Sequence, residues 1–213
     1  MNGAVELGAA ELDAEDAARA GHYALLAQLF YVAPGAGLLS ALANADAGGG
    51  APGAADDSPL AAAWRKLAAA AAAMDAEAVR EEYDNVFVGI GKAEITLYAS
   101  HYLGKSAPER LLVRLRDDLG TLGLARKGGA REPEDHLAAL CDVMRYMISH
   151  GGKQGDLDGA LQQQKQFFLA YISPWYAQFC VAVAASRQTN FYKHVATFAK
   201  VFFEVEAEAF ELA

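Results

Sequence analysis

Two cysteines in 213 residues cannot supply a disulfide framework. Cys141 and Cys180 sit singly in apolar stretches, outside any Cys-x-x-Cys or Cys/His cluster, which predicts buried free thiols in a reducing compartment. Basic residues are also in the minority: 18 Lys and Arg against 27 Asp and Glu give a formal charge of -9 and a pI of about 5.0. A chain of that sign lacks the basic face that nucleic-acid phosphates need, and it suits a cationic partner such as a basic peptide. The opening stretch MNGAVELGAAELDAED lacks both the basic start and the apolar middle of a signal peptide, so a cytoplasmic protein is expected. Long apolar runs are missing too. Pro34, Gly35 and Gly37 break the stretch 20–45, and Ser173 with Pro174 splits 166–186 in the manner of a helix cap followed by proline at the first helical position. Neither stretch is expected to insert stably in a membrane.

No stretch alternates with period two over a useful length, and no repeat recurs at a fixed spacing. What is present is helical periodicity between capping residues, in a chain that is 54% hydrophobic and 21% charged. Asp13 caps a helix to about Val32, and a short helix follows over Leu38, Leu39 and Leu42 before a loop at 44–57. Ser58 and Pro59 open an Ala-rich helix to Ala73, and Asp75 caps one reaching Val88. Ile95 to Leu103 is β-rich by residue type, yet no second strand offers itself as a partner, so a helix or irregular turn is expected there. Ser106 and Pro108 open a helix that Gly123 closes. Further helices are expected at about 157–171, 174–186 and 189–210. The sequence thus predicts an all-α bundle of about eight to ten helices, either one unit or two packing halves joined by a hinge near 125–131.

One stretch stands apart. Arg131 to Met147 reads REPEDHLAALCDVMRYM, with Pro133 suited to the first helical position and Glu132, Glu134 and Asp135 crowded at the positive end of the helix dipole. Leu137, Leu140, Cys141, Met144 and Ile148 then follow as one apolar stripe. His136, beside Asp135 and one turn from Glu132, is the one histidine of five whose neighbours could hold it charged or orient it. No His-Glu-x-x-His, Glu-x-x-His pair or phosphate-binding glycine loop accompanies it; Gly89-Ile90-Gly91-Lys92 lacks both the spacing and a preceding strand. No enzymatic constellation, cofactor or metal site is therefore expected. Carboxylates at the rim of an apolar groove would instead suit a peptide that is both basic and apolar, and forked arginine in particular.

The Glu-Pro-x-Asp-His box is similar to the signature of the TorD/DmsD/NarJ family of molybdoenzyme maturation chaperones. Upstream, EYDNVFVGIGKAEITLYASHY (82–102) resembles that family's aromatic-x-x-Leu-Phe segment with its glycine loop and Ser-x-Tyr, and Phe167 to Trp175 matches more weakly. Tyr83 stands where many members have tryptophan, and Ile90 where many have proline. The resemblance implies an all-helical cytoplasmic chaperone, not an enzyme. Its partner would be an apo molybdenum oxidoreductase catalytic subunit, bound through an N-terminal signal peptide of the twin-arginine or the non-exported type. Peptide-binding residues carried over by motif are Tyr83, Val86, Phe87, Ser100, Tyr102, Glu132, Glu134, Asp135 and His136, with Tyr83, Val86, Phe87 and Tyr102 expected to wall the groove. Two other readings stay open: a helical nucleotide-binding protein or enzyme using Glu132, Asp135 and His136, and a generic helical adaptor. Monomer and homodimer are both compatible with the pattern.

Overall fold

The computed structural model describes residues 12–47, 57–103, 108–126, 132–151 and 157–212. Among them are ten α-helices and no strand: α1 (Ala14–Tyr31), α2 (Ala36–Ala47), α3 (Pro59–Ala73), α4 (Ala76–Tyr83), α5 (Ala99–Leu103), α6 (Pro108–Thr121), α7 (Leu137–Gly151), α8 (Leu157–Tyr171), α9 (Tyr176–Ala185) and α10 (Tyr192–Leu212). The all-α expectation therefore holds. The expected loop at 44–57 and hinge at 125–131 fall largely outside the described residues, and α2 continues to Ala47. Buried side chains from both sides of 127–131, including Leu115 and Leu119 of α6 and Leu140 and Met144 of α7, belong to one apolar cluster.

Caps set the helix starts as side-chain chemistry dictates. Asp13 Oδ1 accepts from the Asp16 N–H at 2.8 Å, Ser58 Oγ from Ala61, and Asp75 Oδ1 from Glu77 and Ala78, each satisfying a donor that the first helical turn leaves without an intrahelical partner. α1 lies along α7, and α10 packs against both α9 and the Ala-rich α3. Alanine gives α3 a close approach with little volume, so Trp64 fills the gap, its ring 5.4 Å from Phe198 and 6.1 Å from His22. Phe30, Phe87, Phe179 and Tyr192 form a second aromatic group at ring separations of 5.1–6.4 Å. Fully burying each such ring removes apolar surface worth about 2–3 kcal/mol.

Two buried carboxylates tie distant helices together. Glu206 on α10 receives a forked pair from Arg19 on α1, with Nε at 2.7 Å and Nη2 at 3.0 Å, and also accepts from the Tyr23 hydroxyl. Burial alone would lower the Arg19 pKa, but the Glu206 partnership outweighs it and the guanidinium is held more firmly charged. Glu82 on α4 caps α10 from outside, accepting from the N–H groups of Phe191 (3.0 Å) and Tyr192 (2.6 Å). A negative charge at a helix N-terminus satisfies orphan donors and the dipole together.

The helix after Asp75 changes character at its end. Residues 84–88 widen into a π-turn, closed by the Gly89 N–H on the Asp84 carbonyl at 2.7 Å. Gly89 sits at φ +65°, and a Cβ there would lie 2.2 Å from the Lys92 carbonyl oxygen, so only glycine fits. No single described helix is long and apolar enough to cross a membrane; α8 and α9 would pass only together, and they bend by 55° between them. α9 starts at Tyr176, two residues later than Pro174 suggests. The Tyr176 N–H reaches the Ile172 carbonyl, and the Trp175 indole donates to Tyr171, so the proline lies within the turn.

Replacing Glu82 with alanine leaves two buried backbone donors without their carboxylate. Chemical denaturation is expected to show a loss of about 2–4 kcal/mol; a change within about 0.5 kcal/mol, typical of surface sites, would mean the cap carries no weight.

Candidate functional site

The Glu-Pro-x-Asp-His box does not open its helix as the sequence suggests. α7 begins at Leu137, and residues 132–136 form a turn pinned to the segment 97–100. Ala99 N–H donates to the Asp135 carbonyl at 3.0 Å and Leu137 N–H to the Leu97 carbonyl at 2.8 Å, making an isolated antiparallel bridge between Tyr98 and His136. This corrects the expected helix start at the box, while the β-rich 95–103 segment is, as expected, irregular and then helical, with α5 from Ala99; its one bridge residue, Tyr98, pairs with the box, whose proline and acidic residues hide that contact from propensity rules. The acidic residues consequently stand before the helix, not in its first turn.

Within this turn the four polar residues do different things. Asp135 is 1% exposed; its Oδ2 accepts from the Ser100 N–H at 2.9 Å, while no protein group donates to Oδ1. His136 is buried at the N-cap position of α7, where its Nδ1 accepts from the Ala138 N–H at 3.2 Å. That contact requires an unprotonated Nδ1. Burial lowers the His136 pKa, and the nearby Glu132 and Asp135 charges only partly restore it, so the ring is held neutral. Glu132 accepts from the Tyr98 hydroxyl in a short contact. Burial first, then that carboxylate, pushes the phenol pKa upward. Glu134 takes a forked pair from Arg116 of α6, at 3.0 and 3.1 Å, which holds the carboxyl below its usual range.

A cleft of about 710 Å³ opens beside the box. Its lining takes Ala24, Ala27, Gln28 and Tyr31 from α1, Leu119 from α6 with Leu124, Ala125 and Arg126 after it, and Ala138, Ala139, Asp142, Val143, Arg145 and Tyr146 from α7. Glu132, Pro133, Glu134 and His136 form the remaining side. Tyr31 is 54% exposed, with its ring centroid 6.5 Å from His136. Among the described residues Glu132 has no ion-pair partner, whereas Glu134 pairs with Arg116 and Asp142 with Arg145.

Of the nine residues singled out from sequence, Glu132, Glu134 and His136 meet at this cleft, and Asp135 lies buried behind them. Tyr83, Val86 and Phe87 do not wall it. Val86 is fully buried, and Tyr83 and Phe87 nearly so. The Tyr83 hydroxyl donates to the carbonyls of Phe30 and Tyr31, so Tyr83 supports Tyr31 from behind, and burial pushes its phenol up to about 12. Ser100 meets the box through its backbone N–H. Tyr102 stacks on Trp175 at 4.8 Å and donates to the Thr96 carbonyl, away from the cleft lining. The apolar wall comes instead from α1 and α7. Tyr31, Tyr98 and Arg116 escape sequence reasoning, as do the alanines of α1 and α7 that line the cleft.

A family model for the nitrate reductase delta subunit matches residues 54–181, well over half of the chain. The chain belongs to that family. It is a family of molybdoenzyme maturation chaperones and not of catalysts, and its members act on the catalytic subunits of those enzymes. The match covers α3 through most of α9, including the box and the π-turn, and leaves out α1, which supplies one side of the cleft. No curated protein matches the chain. Among the described residues no group of three His, Cys, Asp or Glu side chains is placed to hold a metal ion, and the Gly89 to Lys92 loop contributes nothing to the cleft lining.

Because folding lowers the His136 pKa, neutral His136 favours the folded state above the ordinary value of 6.5, and that contribution fades as pH falls below it. His22, half-buried against Trp64, Phe198 and Phe202 and lowered by desolvation to about 4, acts in the same direction. The denaturation midpoint is expected to fall from pH 7 towards pH 4. His136→Asn, which keeps a capping acceptor, should remove part of that slope; an unchanged slope would show that His136 does not titrate with folding.

Proposed function

We propose that the protein is a cytoplasmic chaperone that seats the N-terminal signal segment of an apo molybdenum oxidoreductase catalytic subunit in the cleft between α1 and α7. It holds that subunit open for cofactor insertion and, for an exported client, delays export until assembly is complete. The observation that carries this reading is the place of the family's box: within a chaperone of this family, Glu132 and His136 form one side of a mainly apolar cleft, large enough for several side chains, whose other polar lining is Gln28, Arg126, Glu134, Asp142 and Arg145. Apolar residues of a signal segment would lie over the alanine lining, and a cationic residue would meet Glu132, whose charge no cation of this chain neutralises among the described residues. Tyr31 adds an exposed aromatic face beside that carboxylate, suited to a guanidinium. Twin-arginine signal peptides combine these features, the non-exported type being the alternative client segment, and the protein would serve as a monomer or a homodimer.

Calorimetric titration with synthetic N-terminal peptides of the host's molybdoenzyme catalytic subunits tests this directly. At least one is expected to bind, and failure of every such peptide would contradict the proposal. Tyr31→Ala and Glu132→Gln are each expected to weaken binding about tenfold, equivalent to about 1.4 kcal/mol, with thermal stability nearly unchanged because both side chains reach solvent. Asp135→Ala should do the reverse, costing about 1–3 kcal/mol of stability through the lost Ser100 contact. Equal losses of affinity and stability in all three would favour a purely structural box.

A further inference from the structure

The forked pair between Arg116 and Glu134 has a geometry that the proposed ligand would itself adopt. Nε faces Oε1 at 3.0 Å and Nη2 faces Oε2 at 3.1 Å, the two-pronged arrangement that distinguishes arginine from lysine at a carboxylate. The two partners are unequally fixed. The Glu134 side chain is 9% exposed and belongs to the cleft lining, whereas Arg116 is 52% exposed and does not line the cleft. Glu134 therefore lies between the cleft on one side and a solvent-covered guanidinium on the other. Asp135, buried behind it with Oδ1 lacking a protein donor, bears on the same guanidinium, and the Arg126 charge also reaches Glu134.

We propose that Arg116 is a resident competitor at Glu134: it occupies the seat of a ligand guanidinium, and an arginine of the bound peptide engages Glu134 by displacing it. This rests on the peptide-binding reading above and extends it to the selection of ligand. With its guanidinium half exposed to water, the pair is screened much as a surface pair is, worth about 1 kcal/mol, so a ligand held also by the apolar lining can displace Arg116 at little cost. A lone cation without an apolar segment cannot. Arg116 would thus raise the requirement for a segment that is both basic and apolar, and would suppress capture of arginine-rich but polar chains.

The test is a titration of wild type, Arg116→Gln, Glu134→Gln and the double variant with two synthetic peptides. One carries two adjacent arginines followed by an apolar segment, and the other has lysines in place of those arginines. Arg116→Gln is expected to tighten the arginine peptide about fivefold, the equivalent of one freed surface pair, and the lysine peptide less. Adding Glu134→Gln should cancel the gain, while Glu134→Gln alone should change little. Thermal denaturation checks that the variants stay folded. Unchanged or weakened binding by folded Arg116→Gln, where wild type binds, overturns the competitor role alone and leaves the cleft assignment standing. No binding of either peptide by wild type or variant overturns both.

Discussion

The architecture of the site depends on one backbone pairing, between residues 97–99 and the turn 132–136. Two N–H to carbonyl bonds and the Asp135 carboxylate on the Ser100 N–H fix the box to the segment that follows the π-turn. Everything that faces the cleft follows from that attachment. It starts α7 at Leu137, turns His136 into the cap of that helix, and leaves Glu132 and Glu134 at the cleft lining, Glu134 held by Arg116. Without it the acidic residues would extend α7 and lie along its dipole, with no wall to form.

That pairing also explains where sequence reasoning succeeds and where it stops. Asp13, Ser58 and Asp75 cap as their chemistry requires, because an N-cap depends on residues two or three positions away. The helix end at Val88 before Gly89 and the all-helical architecture follow from equally local signals, whereas the widening of 84–88 into a π-turn has no local signature. The start of α7 was misplaced for the opposite reason. Pro133 and its acidic neighbours have the local pattern of a helix start, and a contact with residues 35 or so positions upstream in sequence overrides it. A single antiparallel bridge carries no periodic signature on either strand, so no propensity scale reveals it.

The candidate site divides in the same way. The box was legible as a motif, and Glu132, Glu134 and His136 do share a cleft. Tyr83, Val86 and Phe87 were legible as an aromatic-apolar segment, but a motif does not tell a groove wall from the layer behind it. The structure places them in the core, where Tyr83 holds the carbonyls beneath Tyr31. The apolar lining comes from α1 and α7, where alanines and a lone Tyr31 carry little sequence signal. Membership of the nitrate reductase delta subunit family joins these parts into one account: a helical chaperone scaffold whose buried polar contacts fix a mainly apolar cleft, with Glu132 at its edge unpaired by any cation among the described residues.

The central claim is that the space between α1 and α7 receives the client's segment. Amide chemical-shift mapping during titration with a binding N-terminal peptide measures that most directly. The account predicts shifts concentrated at Ala24, Ala27, Tyr31, Ala139, Val143 and Tyr146. Shifts concentrated at the Gly89 loop or along α9, with these six residues unmoved, would contradict it.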